Sequence, residues 1–277
     1  MQNIKMIVTD LDNTLLKTDK TISDYTAGIL NKCRQNGIKI VFATARPPLL
    51  DRMLSWDKNA ISLFMSLFDG GIYYNGGCIV INRQKEYQFI SDKVIHETIS
   101  HVLKYDKLNI ALQLKDEKHA FRFPLEDIGY KSWGITSEES LTLQQAKNFK
   151  TVKILVFNNN LIDSITPLDD KLVANLKELC EGNAQFYLTD KGTSIQITGQ
   201  SVNKMRSIEQ ILKSFSFEKS EVAAFGDDYN DVEMLKECII GVAVSNAIDE
   251  AKAAADYICE SNDDDGVAKW IEENILF

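Results

Sequence analysis

Two apolar runs of the chain end in closely spaced acidic residues. The first, IKMIVTDLDNTLL, covers residues 4–16, and the second, EVAAFGDDYND, covers residues 221–231. Apolar runs of this length are typical of strands that are buried on both faces. In an extended chain, Asp10 and Asp12 point to the same side and repel each other unless a positive charge lies between them. For the first run alone, a polar turn with two solvated acids remains the alternative.

The rest of the two ends alternates between strand and helix patterns. SDYTAGILNKCRQNG predicts a helix, with Ser23 at the N-cap and Gly37 at the C′ position, and IKIVFATARP predicts the next strand. A strand, helix, strand order implies a parallel pair with a right-handed crossover. VNKMRSIEQILKSF carries one apolar helical stripe, and strand and helix patterns alternate after it to the final helix GVAKWIEENIL. We therefore expect an α/β fold with a doubly wound, mostly parallel, Rossmann-like sheet.

The middle of the chain has a different pattern of predicted strands and helices. EYQFI, LNIALQL, HAFRF, VKILVFN and QFYLT are short strand candidates, interspersed with helices such as TPLDDKLVANLKELCEG, where Thr166 suits the cap and Pro167 the first turn. This mixture predicts an α+β unit inserted into the sheet domain. We expect a discontinuous core domain over residues 1–83 and 194–277, and an inserted cap domain over residues 84–193.

Composition narrows the class of protein. The 277 residues are 44% hydrophobic and 26% charged, which is ordinary for a folded soluble domain, and the net charge of -9 argues against nucleic acid or anionic membrane as a partner. Five scattered cysteines form no CxxC pair, which predicts reduced, buried thiols. We see neither a signal peptide pattern nor an apolar stretch of about 18 residues, so we expect a cytoplasmic protein.

The predicted strand ends bring polar residues to one edge of the sheet, where ligands of open parallel sheets bind. Carboxylates from two strands could share a hard divalent cation, and all-oxygen ligation favours Mg²⁺. A hydroxyl, backbone amides and an ammonium could bind a phosphate, as phosphoryl transfer requires. The residues are Asp10, Asp12, Thr14, Thr44, Arg46, Lys204, Asp227, Asp228, Asn230 and Asp231. A carboxylate could also act as the nucleophile through an aspartyl-phosphate.

At these residues the sequence resembles the haloacid dehalogenase (HAD) superfamily of phosphatases. DLDNTLL, TAR, Lys204 in VNKMRSIEQIL, and GDDYND resemble its four motifs in order, and the large insert, YYNGG at 73–77 and SNDDDGVAKWI resemble its Cof-type sugar phosphatases. The resemblance implies a role for each motif residue. Asp10 would be the nucleophile, Asp12 the general acid and base, and Asp10, Asp227 and the Asp12 carbonyl the Mg²⁺ ligands. Phosphate would be held by Thr44, Lys204, Asn230 and the amides of Leu11 and Ala45, with Thr14 and Asp231 in support.

The motifs depart from the family pattern at three positions. Asn13 follows Asp12 where Gly is common, and Asn tolerates a left-handed backbone best among the other residues. Ala45 stands where the second motif commonly has Gly, and Asp228 adds a negative charge beside Asp227. These changes remove no catalytic group, so the activity class stands.

Single residues also have structural interpretations. Thr44 could cap a turn, Lys204 could be a solvated lysine, and Arg46 is more typical of an ion pair. Asp263, Asp264 and Asp265 look like an acidic turn that caps the last helix, and Gly76 and Gly77 like a turn where the insert leaves the sheet. Of the three histidines, all in the insert, His119 alone is a candidate for substrate contact.

The sequence therefore predicts a Mg²⁺-dependent phosphatase, monomer or homodimer, that hydrolyses a small phosphorylated metabolite, by family analogy a sugar phosphate. A phosphomutase or phosphotransferase with the same nucleophile is the first alternative. Two further alternatives are a phospho-accepting regulatory domain without turnover and a catalytically silent binding protein.

Overall fold

A computed structural model describes residues 3–159 and 166–276, and the chain divides into two units. The first unit comprises Met1–Ala45, Trp56–Lys85 and Lys204–Phe277, and the second comprises Arg46–Ser55 and Glu86–Asn203. The chain therefore changes unit after residues 45, 55, 85 and 203.

The strands and helices are numbered in chain order. The strands are β1 (Met6–Thr9), β2 (Lys39–Ala43), β3 (Gly70–Tyr73), β4 (Cys78–Ile81), β5 (Gln84–Tyr87), β6 (Leu108–Leu114), β7 (His119–Phe121), β8 (Ser140–Thr142), β9 (Thr151–Asn158), β10 (Ala184–Thr189), β11 (Ser194–Gly199), β12 (Val222–Gly226), β13 (Ile240–Val244) and β14 (Tyr257–Cys259). The α-helices are α1 (Asp24–Gln35), α2 (Leu50–Met53), α3 (Lys58–Ser66), α4 (Asp92–Val102), α5 (Asp127–Ser132), α6 (Leu143–Ala146), α7 (Asp170–Cys180), α8 (Lys204–Phe215), α9 (Val232–Glu237), α10 (Asp249–Ala254) and α11 (Gly266–Asn274).

The larger sheet has eight strands in the order β14–β13–β12–β1–β2–β3–β4–β5. All neighbours from β14 to β3 are parallel, and β4 pairs antiparallel with β3. Because β1 lies inside the sheet and the chain adds strands on both sides of it, the predicted doubly wound, mostly parallel architecture is confirmed.

Alternate residues of the central strands face opposite layers of helices. Met6 and Val8 of β1 pack in one cluster with Ile208 of α8. On the other face, Phe225 of β12 lies edge-to-face against Trp270 of α11 at 5.6 Å between ring centroids. Burial on both faces explains why these strands are nearly continuous apolar runs in the sequence.

The second unit contains a six-stranded sheet in the order β10–β11–β9–β6–β7–β8. Its pairs are antiparallel except for β7 and β8, which are parallel. Ile110 and Leu112 of β6 pack in a cluster with Leu172 and Leu176 of α7, on the face that α4 and α7 cover. The mixed α+β texture expected for the middle of the chain is therefore present.

The limits of the two units differ from the expected domain boundaries in three segments, the shortest of which is residues 84–85, expected in the cap domain but grouped with the first unit. Residues 194–203, expected in the core domain, group with the second unit because β11 pairs with both β9 and β10. Residues 46–55 also group with it, since Leu49 is buried in a cluster with Phe121 and Tyr130. The alternation of Ile195 and Ile197 is the sequence signal for β11.

Two local expectations need correction. Helix α7 is capped by Asp169, whose side chain accepts a hydrogen bond from the Leu172 amide, so the helix begins three residues after Pro167. Gly76, with φ of 108°, serves a tight turn as expected. That turn joins β3 to β4 within the larger sheet, so the chain does not leave the sheet there.

Other local expectations are confirmed. Ser23 caps α1 by accepting a hydrogen bond from the Thr26 amide, and Gly37 follows the helix with φ of 81°. All five cysteines are buried free thiols.

Among the described residues, we find no helix with the length and apolarity needed to cross a bilayer.

Candidate active site

Three adjacent strands carry the predicted site residues at their carboxyl ends. Asp10 follows β1, Thr44 follows β2 and Asp227 follows β12, and β1 lies between the other two strands. The backbone extends the sheet into the site, because the Asp10 amide donates to the Phe225 carbonyl at 2.9 Å. Asp10 and Thr44 are both buried, as expected for residues at the centre of a covered sheet.

Lys204, the first residue of α8, is fully buried and bridges two carboxylates. Its Nζ donates to Asp10 Oδ1 at 2.5 Å and to Asp231 Oδ1 at 2.6 Å. Burial alone lowers the pKa of a lysine, but the charges of Asp10 and Asp231 outweigh it and raise the pKa of Lys204. The interpretation of Lys204 as a solvated lysine is therefore wrong.

Asp231 organises the loop after β12. Its Oδ2 accepts hydrogen bonds from the amides of Asp227 and Asp228 at 3.0 and 3.2 Å. Gly226 permits this approach, because a Cβ there would lie 2.5 Å from the Cβ of Asp231. Since both of its carboxylate oxygens have partners, Asp231 is suited to orienting Lys204 and the loop.

Asp227 faces Thr14 across the sheet edge. Thr14 Oγ1 donates to Asp227 Oδ1 at 2.6 Å. Burial raises the pKa of Asp227 to about 7. The charge of Asp231 adds to this shift, and the Thr14 hydrogen bond opposes it. Burial also raises the pKa of Asp10 well above its usual range, although Lys204 opposes the shift. Both carboxyl groups therefore lie where negative charge is poorly compensated.

These acids form a set of oxygen donors that fits a metal cation. Carboxylate oxygens of Asp10, Asp227 and Asp231 lie within 4.8 Å of one another. Lys204 supplies a single positive charge to these three acids, so a divalent cation would compensate the remainder. Carboxylate oxygens suit a hard cation of the Mg²⁺ type. Asp10 and Asp227 are the better candidates for ligands, because Asp231 already has partners on both oxygens.

Asp12 lies beyond Asp10 in a tightly held loop. Its side chain is partly exposed, and its Oδ1 pairs with Lys20 Nζ at 3.0 Å. Asn13 has a left-handed backbone with φ of 59°, as its tolerance of that conformation predicts. The Leu16 amide donates to the carbonyl of Leu11, whose side chain is fully buried, which closes the loop.

Asparagine side chains hold this loop and the one after β12. Asn246 Nδ2 donates to the Asn13 carbonyl at 2.8 Å, and Asn262 Nδ2 donates to the Leu16 carbonyl at 3.0 Å. Asn230 Nδ2 donates to Asn75 Oδ1 at 2.9 Å.

Four further residues are neighbours of the site but are not among the residues predicted from the sequence. They are Lys20, Asn75, Asn246 and Asn262. Asn75 lies in the quoted YYNGG, whose Asn-Gly pair is a turn signal. The pairing of Lys20 with Asp12 has no comparable signal in the sequence.

The structure also places the remaining sequence candidates. Ala45 directly follows Thr44 and is half-buried at the end of the first segment of the first unit, and Arg46 begins the first segment of the second unit. Asp265 precedes α11, but its side chain makes no capping hydrogen bond there and instead accepts from the hydroxyls of Ser23 and Thr26, so the expected capping of the last helix by this side chain is wrong. His119 is completely buried in the second unit, 5.6 Å from the Trp133 ring.

Comparison with known proteins gives a consistent result. The family profile for haloacid dehalogenase-like hydrolase matches residues 7–271. The Bacillus subtilis (strain 168) protein named 5-amino-6-(5-phospho-D-ribitylamino)uracil phosphatase YcsE is 26% identical over 274 residues, which cover 99% of this chain and 97% of that protein.

Solved structures show the same fold. A haloacid dehalogenase-like hydrolase from Bacteroides thetaiotaomicron is 26% identical with a TM-score of 0.74, and the match covers 99% of this chain and 100% of that one. The HAD subclass IIB sugar phosphatase BT4131 is 21% identical with a TM-score of 0.77 over the same shares of the two chains. The family match spans most of the chain and includes all four motifs, so the protein belongs to the haloacid dehalogenase-like hydrolases, as its resemblance to the Cof-type phosphatases predicts.

Proposed function

We propose that the protein is a Mg²⁺-dependent phosphatase that hydrolyses phosphomonoesters of small metabolites through an aspartyl-phosphate on Asp10. The observation that carries this proposal is the buried position of Lys204 between Asp10 and Asp231, beside Asp227. A fixed ammonium beside a carboxylate nucleophile reduces the repulsion that an incoming phosphate meets.

The first half of the reaction transfers the phosphoryl group to the protein. A carboxylate oxygen of Asp10 attacks phosphorus, and the bond from phosphorus to the ester oxygen breaks. Asp12 gives its proton to the leaving oxygen, so the alcohol departs neutral. Lys204, the Thr44 hydroxyl, Asn230 and the amides of Leu11 and Ala45 bind the phosphoryl oxygens.

The second half releases phosphate. Asp12, now ionised, takes a proton from a water molecule that attacks phosphorus, and the bond to Asp10 breaks. Partial exposure of Asp12 suits a group that exchanges protons with substrate and water. Inorganic phosphate leaves, and Asp10 returns to its starting state.

A bound Mg²⁺ would be held by the carboxylates of Asp10 and Asp227 and by the Asp12 carbonyl, with Thr14 and Asp231 as supporting residues. When bound, it supplies positive charge that offsets repulsion between Asp10 and the phosphate. The surplus of negative charge among Asp10, Asp227 and Asp231 supports this assignment.

The proposed substrates are small phosphorylated metabolites of the sugar phosphate type. Two B. subtilis relatives named as 5-amino-6-(5-phospho-D-ribitylamino)uracil phosphatases, YcsE and YitU, are 26% and 24% identical to this chain. Their named substrate carries a phosphate on a polyol chain, which is chemically close to a sugar phosphate.

The test is phosphate release from a panel of sugar phosphates, polyol phosphates, nucleotides and an aryl phosphate, with Mg²⁺ and then with EDTA. Asp10→Asn should lower turnover at least about a thousandfold, because it removes the nucleophile. Asp263→Asn is the matched control, since it makes the same change at an acid that pairs with Thr18 outside the site.

The outcomes separate the proposal from its alternatives. Release that needs Mg²⁺ and Asp10 but not Asp263 supports the phosphatase. Transfer of the phosphoryl group to a sugar hydroxyl would instead favour a phosphotransferase, and a stable phospho-Asp10 without turnover would favour a regulatory domain. Normal release by Asp10→Asn would overturn the mechanism.

A further inference from the structure

The turn between β3 and β4 touches three of the four segments that carry the proposed phosphate ligands, those of Thr44, Lys204 and Asn230. It consists of residues 74–77, the YNGG of the sequence, and its first three residues form one turn of 3-10 helix. Tyr74, Asn75 and Gly76 are all buried, and Asn75 has a left-handed backbone with φ of 58° and ψ of 31°.

Two contacts come from Asn75 itself. Its backbone amide donates to the Thr44 carbonyl at 3.0 Å, which ties the turn to the segment after β2. Its side-chain Oδ1 accepts from Asn230 Nδ2 at 2.9 Å, which ties the same residue to the loop after β12. Asn75 therefore links the segments that follow two strands of the sheet, β2 and β12.

The third contact reaches the helix of Lys204. The Gly76 carbonyl accepts a hydrogen bond from Ser207 Oγ at 3.2 Å, inside the protein. Ser207 lies in the first turn of α8, three residues after Lys204. The turn at 74–77 is therefore bonded to each of the three segments.

We propose that Asn75 is a positioning residue that holds the side chain of Asn230 in the orientation that binds the substrate phosphate, an inference that rests on the proposed function. The amide nitrogen of Asn230 carries two hydrogens, of which one is directed at Asn75. The second hydrogen is the donor for a phosphoryl oxygen. Because its partner fixes the plane of the amide, that donor needs little reorganisation when phosphate binds.

The Asn230 side chain depends on this partner for its position. Asn230 Oδ1 is buried and has no hydrogen-bond partner among the residues that the structure describes. The Asn75 contact is thus the hydrogen bond that the structure gives to this side-chain amide. Without it, the amide would be free to rotate among other orientations.

The test variant is Asn75→Gly, because glycine adopts the left-handed backbone without strain and loses only the side chain. Asn82→Gly is the matched control. Asn82 also has a left-handed backbone, with φ of 51°, but it is exposed in the turn between β4 and β5. Asn75→Asp is the conservative variant, since a carboxylate oxygen can accept the same hydrogen bond.

Two quantities are measured for each variant: KM, and the dissociation constant of inorganic phosphate from calorimetry with Mg²⁺. We expect Asn75→Gly to raise both by about three- to tenfold. Asn82→Gly should leave both unchanged, and Asn75→Asp should recover part of the lost affinity. A double-mutant cycle pairs Asn75→Gly with Asn230→Ala. When Asn230 is already alanine, Asn75→Gly should raise KM and the phosphate dissociation constant by less than a further twofold. A merely structural role would instead give independent, multiplicative losses.

The outcomes for this inference and for the proposed function are distinct. Wild-type turnover with unchanged KM and phosphate affinity in Asn75→Gly overturns the role of Asn75 alone, as do multiplicative losses in the cycle. If the wild type hydrolyses no phosphomonoester, the proposed function fails, and phosphate calorimetry on the same variants still decides the role of Asn75. If the wild type binds no phosphate either, both are overturned.

Discussion

The ammonium of Lys204 lies 2.6 Å from Asp231 Oδ1, and both side chains are almost completely buried. Removal of one partner from a buried ion pair leaves an uncompensated charge inside the protein. The pair therefore links the stability of the first unit to the geometry of the site, since Lys204 also contacts Asp10.

We first predict that Asp231→Asn destabilises the protein by about 3 kcal/mol and lowers turnover, because Lys204 loses a charged partner and the loop after β12 loses an anionic acceptor. Urea unfolding of the full chain measures the stability. Glu272→Gln, which weakens the exposed contacts of this side chain with Lys32 and Tyr25, is the control and should lower the stability much less. Equal effects of the two substitutions would contradict the prediction.

The second prediction concerns Thr14 and metal affinity. Thr14→Val keeps the shape of the side chain but removes the hydrogen bond to Asp227. Because such supporting contacts orient metal ligands, the Mg²⁺ concentration for half-maximal activity should rise about 10- to 100-fold. Thr14→Ser retains the hydroxyl and should stay close to the wild type. An unchanged Mg²⁺ requirement in Thr14→Val would show that this contact does not serve the metal site.

The third prediction concerns Gly226. Gly226→Ala places a Cβ 2.5 Å from the Asp231 side chain, so Asp231 must move and release its hold on Lys204. We expect a loss of about 1–3 kcal/mol in stability, together with a fall in kcat.

Gly28→Ala is the control for Gly226→Ala. Gly28 is exposed in α1, and a Cβ there meets nothing within 4 Å. Because alanine favours a helix more than glycine does, this change should stabilise the protein by about 0.5–1 kcal/mol. Full activity of Gly226→Ala, measured beside this control, would refute the packing argument.

The fourth prediction concerns pH. Burial lowers the pKa of His119 from 6.5 to about 4. Between these values the unfolded chain binds a proton that the folded chain does not, so stability falls as the pH falls from about 6.5 towards 4.

Unfolding at pH 7 and pH 5 tests this directly. The wild type should lose about 2 kcal/mol more between the two pH values than His119→Phe, which cannot titrate. The comparison uses the change with pH within each protein, so a general cost of the substitution cancels. Equal pH dependence in the two proteins would contradict a buried neutral His119.

Much of the first unit could be predicted because its signals are local. The apolar runs that end at Asp10 and Asp227 are long enough to mark buried strands, and the polar residues after them follow from strand direction. The meeting of Thr14 with Asp227 required only the adjacency of β1 and β12.

Other features depend on pairings between distant residues. The contact of Asn75 with Asn230 joins positions 155 residues apart, and neither side chain signals the other. Residues 46–55 lie within the expected core domain, yet the burial of Leu49 beside Phe121 groups them with the second unit. Periodicity describes which face of a segment is buried but does not identify the partner that buries it.

The segment 46–55 has a consequence for protein engineering. If the second unit were one continuous insert, it could be exchanged between relatives as a single segment. Here residues 86–203 form only part of that unit, and the rest comes from an earlier stretch of the chain. A functional chimaera must therefore transfer both stretches together. If residues 86–203 were grafted alone, Phe121 and Tyr130 would pack against the recipient's own residues in place of the Leu49 segment.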